Sequence, residues 1–242
     1  MHPLLLFSPD FQIFNQEHFI WLALGMASCF FWIWLGKKQR TEINQRRIGL
    51  IQSLLPLVLW FFISLYMACV VRPLDLSLVL PFHACYFINL VLPVMLWRRS
   101  FFLFELTYFM VMGGCIQALI TPDLKGAFPY YLDIRYFVVH IGLVQSTLYA
   151  VLVYKFRPTW RSFGKAFLWA NYYFVFVLGI NYLLGTNFMY LNEKPPTPTM
   201  LDLFGEWPWY IIGGEFLCLM MFGIVMLPFA FDKTKASIYH ET

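Results

Sequence analysis

Apolar residues in this chain neither alternate with polar ones nor fall into narrow helical stripes; they run in long blocks separated by short charged clusters. Seven blocks stand out, at roughly 18–36, 48–71, 76–97, 100–120, 136–154, 166–184 and 207–231. Each approaches or exceeds the roughly 20 residues a helix needs to cross a bilayer, and each is far longer than the 9–11 residues of a barrel strand. The pattern predicts an all-α membrane protein, a single seven-transmembrane helix bundle over residues 1–242.

Composition removes the soluble alternative. Of 242 residues, 60% are hydrophobic, 21% aromatic and only 12% charged, against about a quarter charged in soluble proteins. The net charge of +4 is no nucleic-acid footprint, because the basic residues sit in links between spans. Thirteen of the seventeen Lys and Arg fall on one side of the expected bundle: Lys37, Lys38, Arg40, Arg46 and Arg47; Arg98 and Arg99; Lys155, Arg157, Arg161 and Lys165; Lys233 and Lys235. The opposite side holds Arg72, Lys125, Arg135 and Lys194 with most of the acids, among them Asp10, Asp75, Asp123, Asp133, Asp202 and Glu206. The positive-inside rule then places the N-terminus outside and the C-terminus in the cytoplasm. Met1–Phe14 has no basic segment or small-residue cleavage site and is not expected to be a removable signal peptide.

Five cysteines, Cys29, Cys69, Cys85, Cys115 and Cys218, all lie inside spans, so no disulfide framework is expected. The longest link on the acidic side, 185–206, carries Glu193, Lys194, Pro195, Pro196, Thr197 and Pro198, which impose an extended course. It reads either as an interfacial cap or as a lid over a site. Trp207, Pro208 and Trp209 are placed at the opening of the last helix.

Polar groups inside spans are costly and therefore informative. At about 1.5 Å per residue, His83, Cys85, Gln117, His140, Asn181 and Glu215 lie roughly 4–14 Å below the outer helix ends. Glu105 and Asn171 lie nearer the other side and read as a separate pair. Residues 83 and 85 stand about 200° apart on a regular helix, so one of the two faces inward unless Pro81 keeps that turn irregular. Cys85 shares its face with Asn89, and that more polar stripe is taken as the inward one. A Cys and a His from different helices form a minimal nucleophile and base, with Cys85 and His140 as the pair. Gln117 or Asn181 would orient the imidazole or stabilise an oxyanion. The other four cysteines are read as packing. Gly113 and Gly114 allow close approach of a neighbouring helix one turn before Gln117.

Several blocks carry a resemblance: Leu80-Pro81-Phe82-His83-Ala84-Cys85, Gly113-Gly114-Cys115-Ile116-Gln117-Ala118-Leu119-Ile120-Thr121-Pro122-Asp123-Leu124, Arg135-Tyr136-Phe137-Val138-Val139-His140, the stretch from Asn181 to Leu191, Glu193-Lys194-Pro195, and Trp207-Pro208-Trp209-Tyr210. Nearly the whole chain resembles the YwaF-like family of bacterial integral membrane proteins. That family is similar to the animal transmembrane Cys/His acyltransferase of ether phospholipids, and more remotely to intramembrane hydrolases with a Thr/His pair. The resemblance implies Cys85 as nucleophile, His140 as base and the bacterial cytoplasmic membrane as location. The sequence departs from the family at Tyr86, where an acid is expected, and at Tyr130, where a histidine is common.

The leading expectation is therefore an intramembrane acyl-transfer enzyme, acyltransferase or hydrolase, acting on lipid acyl esters in the outer leaflet. Membrane lipid is its partner, with no cofactor, no bound metal and no nucleic acid. Three alternatives stay open. A transporter would need charged groups along a path, and no buried Lys or Arg is expected in a span. A metal or haem protein would use His83, Cys85, His140 and Glu215. A structural or assembly component would use its polar residues as interhelical ties. A retinal-type receptor is excluded, because the seventh run contains no Lys.

Overall fold

The computed structural model describes residues 11–70, 73–124, 128, 130–195 and 199–230. Asp10, Arg72, Lys125, Pro196, Thr197, Pro198, Lys233 and Lys235 lie outside the described residues, as do positions 71 and 231, where two expected spans end.

Seven helices are long and apolar enough to cross a membrane: α1 Gln16–Lys37, α2 Glu42–Val70, α3 Leu76–Arg98, α4 Phe101–Ile120, α5 Tyr131–Leu152, α6 Trp160–Leu184 and α7 Trp209–Ala230. No strand occurs among the described residues. The chain is a multi-pass, all-α membrane protein. For orientation, the face that holds the α2–α3, α4–α5 and α6–α7 links is called the acidic face, and its opposite the basic face.

Side-chain caps fix where several helices begin. Asn15 accepts from the His18 N–H at the start of α1, and Ser100 accepts from the Leu103 N–H at the start of α4. Thr159 and Ser162 form a reciprocal capping box at the start of α6. That box moves the start of α6 from the expected 166 to Trp160. The fifth helix likewise begins at Tyr131 and not at 136, because the polar first turn is held inside the protein: Asp133 and Arg135 are only 2% and 3% exposed. Trp207 and Pro208 form a turn before α7, so the helix opens at Trp209.

Two helices are irregular at neighbouring levels. In α3 a single turn, Leu76–Val79, is capped by Asp75; the chain then breaks through Leu80–His83 and resumes as Ala84–Arg98. Pro81 sits in this break, where it cannot donate a backbone hydrogen bond. In α4 the segment Val111–Cys115 is π-helical, a widening that often marks functional sites.

Helix α5 is the core, packing against α1, α2, α3 and α4; α6 and α7 complete the bundle against α4 and each other. The contact of α2 with α5 is tight, since a Cβ placed on Gly142 would stand 2.5 Å from Pro56 Cγ. Near the basic face Tyr154 donates to the Leu96 carbonyl at 2.8 Å and Tyr149 to the Gln45 carbonyl at 2.7 Å. Glu105, 5% exposed, accepts from Ser162 Oγ at 2.6 Å and Lys165 Nζ at 2.8 Å. Asn171 donates instead to Glu215 on α7 at 3.1 Å. The expected Glu105–Asn171 pair is thus replaced by two separate ties. Ser162 and Lys165, one turn apart, face α4, whereas Asn171 faces α7.

Replacing Gly142 with Leu should cost about 1–3 kcal/mol by overpacking. The check is thermal unfolding in detergent, where Gly142→Leu melts below the wild type and a Gly142→Leu/Pro56→Ala double variant recovers part of the loss.

Candidate active site

The break in α3 decides the site. His83 is the N-terminal cap of the long part of α3, with non-helical backbone (φ −67°, ψ 136°), so its side chain leaves the helical phase of the residues after it. His83 and Cys85 consequently line the same polar cavity. The regular-helix expectation that one of them faces away is corrected, because the exception tied to Pro81 is the conformation adopted.

Cys85 lies in the first turn of Ala84–Arg98, where the earliest backbone N–H groups have no intrahelical partner. Its Sγ stands 3.9 Å from Cys115 Sγ, at the end of the π-helical segment of α4. His140, 4% exposed on α5, completes the group: one donor atom from each of Cys85, Cys115 and His140 lies within 4.8 Å of the others. His140 Nδ1 is 2.8 Å from the Tyr136 carbonyl. A carbonyl only accepts, so Nδ1 carries the proton and Nε2 is the basic nitrogen. The Tyr136 ring packs on the imidazole, centroids 4.1 Å apart, and its hydroxyl donates to the Ala118 carbonyl at 2.8 Å. Cys115 is therefore not the isolated packing residue that its sequence context suggested.

The polar cavity, about 700 Å³, opens toward the acidic face between α3, the α4–α5 link and α5. Arg135 forms part of its wall, which corrects the expectation of no buried Arg in a span. Its Nη1 donates to the Leu78 carbonyl at 2.8 Å and to Ser64 Oγ at 3.3 Å, and its guanidinium lies 5.0 Å from the Tyr86 ring centroid. Tyr86 thus takes a cation–π role at the position where relatives were expected to hold an acid. The buried Arg135 Nε and Asp133 Oδ2 have no hydrogen-bond partner among the described residues.

The remaining expected residues disperse. Asn181 is committed to the α6–α7 link: it accepts from the Phe188 N–H at 2.8 Å and Thr186 Oγ1 at 3.0 Å, and donates to the Phe188 carbonyl. Gln117 donates to Met221 Sδ on α7 at 2.7 Å. The imidazole is oriented by the Tyr136 carbonyl, so neither Asn181 nor Gln117 orients it. Glu215 is held by Asn171, and Asn89 lies buried one turn below Cys85 with its Nδ2 unpartnered among the described residues. The metal set weighed from the sequence, His83, Cys85, His140 and Glu215, is not the one that converges. Cys85, Cys115 and His140 converge instead, a donor set that suits a soft ion such as zinc.

The described part of the α6–α7 link folds over the site. Phe188 is fully buried with its ring edge-on to His83, and the Met189 N–H donates to His83 Nδ1 at 3.3 Å. Tyr190 borders the polar cavity, and its carbonyl accepts from Tyr210 at 2.9 Å. Lys194 ties the far part of the link, 3.0 Å from Glu206 and 3.4 Å from Asp202.

The TMEM164 family matches this sequence over residues 13–226, from ahead of α1 into α7. The chain belongs to the TMEM164 family. The match contains the whole cluster described above. No curated protein and no solved structure matches the chain.

Four residues of the site escaped the sequence. Cys115 and Tyr190 arrive through the π-helical segment and the folded link, and carried no local signal. Arg135 was hidden by placing the start of α5 at 136. Tyr136 already stood within the expected span, four residues and about one turn before His140, and its spacing alone pairs the two.

The link should respond to acid in a defined direction. The Thr199 N–H, donating at 2.7 Å, and then Lys194 hold the Asp202 carboxyl below its ordinary value of 3.8. A depressed carboxylate stabilises the fold above its unfolded pKa, and that contribution is lost as pH falls through the folded value. Cleavage within 199–206 by an acid-active protease should therefore accelerate below about pH 4. Asp202→Asn should show faster cleavage there already at neutral pH with a neutral protease.

Proposed function

We propose that this protein is an intramembrane acyl-transfer enzyme in which Cys85 is the nucleophile and His140 the general base. The observation that carries the reading is the buried juxtaposition of Cys85 and His140, with His140 Nδ1 already committed to the Tyr136 carbonyl. His140 Nε2 accepts the thiol proton as Cys85 sulfur attacks an acyl ester carbonyl. The Ala84 and Cys85 N–H groups at the start of Ala84–Arg98 are the donors for the developing oxyanion, since those of Tyr86 and Phe87 already bond the His83 carbonyl. Collapse breaks the ester C–O bond, the imidazolium returns its proton to the departing alcohol, and a thioester remains on Cys85. A second hydroxyl compound, an alcohol or water, then gives its proton to His140 and attacks the thioester carbonyl, which releases the acyl product and restores the thiol.

Membership of the TMEM164 family supports the reading, because the sequence resembles the animal ether-lipid acyltransferase at these residues. The acyl esters of membrane lipids are the substrate class. The charge asymmetry of the links supports an acidic face outside and a cavity open to the outer leaflet, and the YwaF-like resemblance supports a bacterial cytoplasmic membrane. Cys115 favours a second reading, a bound soft metal on Cys85, Cys115 and His140.

Cys85→Ala and Cys85→Ser should abolish labelling by an acyl activity probe, and His140→Ala should slow it by about a hundredfold to ten-thousandfold. Cys115→Ser should retain labelling. A label that persists in both Cys85 variants and in His140→Ala would remove the acyl-transfer reading. Stoichiometric zinc in purified protein, lost in Cys115→Ser together with activity, would replace it with the metal reading.

A further inference from the structure

A second cavity reaches the same cysteine from the other side. It has a volume of about 350 Å³ and lies between the π-helical segment of α4, α6 and α7, with Ala84, Cys85 and Ile88 of α3 at its inner wall. Among the described residues, Cys85 alone lines both this cavity and the polar one. The two differ in chemistry. The polar cavity offers histidine, arginine, aspartate and tyrosine side chains, whereas the second offers aliphatic, aromatic and sulfur groups, with Gln117 as its sole amide.

The π-helical segment shapes this groove. An added Cβ on Gly113 would meet Met221 Cβ at 3.4 Å, so α7 closes against that residue, whereas one on Gly114 would meet nothing within 4 Å. Gly114 and Gln117 are exposed, so the groove opens on the side of the bundle, toward lipid. From Gly214 to Phe222 on α7, the groove runs along the bundle for about 12 Å at the helical rise. Ile88 and Met110 line this groove and also a third cavity, about 300 Å³, between α3, α4 and α6.

We infer that the groove between α4, α6 and α7 is the binding site of the substrate's acyl chain, and that Ile88 and Met110 form the wall that keeps the chain out of the third cavity. This rests on the acyl-transfer reading of Cys85. A chain laid in the groove from the lipid side presents its carboxyl carbon to the sulfur at the groove's one polar margin. The ester's alcohol part and the incoming acceptor then occupy the polar cavity, beside His140. Hydrocarbon selects this groove because its walls are apolar apart from the Gln117 amide, and the alternative solvent, lipid, is reached without crossing water.

Two variants read the length of the site. Gly114→Leu fills the open flank, and Met110→Ala joins the groove to the third cavity. With full-length protein in detergent and p-nitrophenyl octanoate and palmitate as acyl donors, Gly114→Leu should lower the palmitoyl-to-octanoyl rate ratio by about tenfold or more. Met110→Ala should raise that ratio. A photoreactive alkyl-diazirine palmitate should label the Met110–Gln117 and Leu217–Phe222 segments in the wild type and in Cys85→Ala, and this labelling should fall in Gly114→Leu. Labelling confined to other helices, or a rate ratio unchanged by both variants, overturns the chain site. Chain labelling in the groove with no acyl-thioester on Cys85 would keep the chain site and sink the nucleophile.

Discussion

Inside a bilayer a backbone N–H or carbonyl has no water to fall back on, so every departure from regular helix must be repaid by the protein around it. This constraint organises the molecule. The helices are regular almost throughout, and the two main departures, the break at Leu80–His83 and the π-helical segment Val111–Cys115, lie where the cavities meet. The break frees His83 from helical phase and begins a fresh helix just before Cys85. The π-helical segment turns Cys115 toward Cys85 and leaves Gly114 over open space.

The cost of these departures is met locally. Tyr173 donates to the Phe82 carbonyl at 2.9 Å, and Arg135 to the Leu78 carbonyl, so side chains of α6 and α5 satisfy backbone acceptors in and before the break. His18 of α1, fully buried, is 2.8 Å from the Leu119 carbonyl near the end of α4, which needs a donor because its helix is about to stop. Arg135 is itself expensive to bury, and it is stabilised by two oxygen acceptors and the face of Tyr86. Polar residues at this level thus do two things at once. They repair the irregular backbone and furnish the wall of a cavity.

A division of solvents follows from the same arrangement. One side of Cys85 is lined with titratable and hydroxyl groups, the other with hydrocarbon, and the thiol sits at the boundary. A lipid ester has this same boundary at its carbonyl carbon. The α6–α7 link roofs both sides, with Tyr190 over the polar cavity and Met189 and Leu201 over the apolar groove. Asn181 secures that roof, which explains why an amide buried at this depth does not reach the imidazole.

Seven spans, the helical class and the gathering of basic residues on one face were legible in the sequence, because hydropathy and charge are sums over some twenty residues and tolerate local error. Cys85 and His140 were legible as candidates because ionisable and nucleophilic groups are rare in such runs. Angular relations were not, since each depends on an unbroken helical phase. Pro81 interrupts that phase in α3 and the π-helical segment resets it in α4, so neither the shared cavity of His83 and Cys85 nor the approach of Cys115 follows from residue spacing. The start of α5 was equally hidden: Asp133 and Arg135 read as a polar link until the neighbouring helices bury them. The sequence determined which groups must cross the membrane, and the packing of α3, α4 and α5 decided which of them meet.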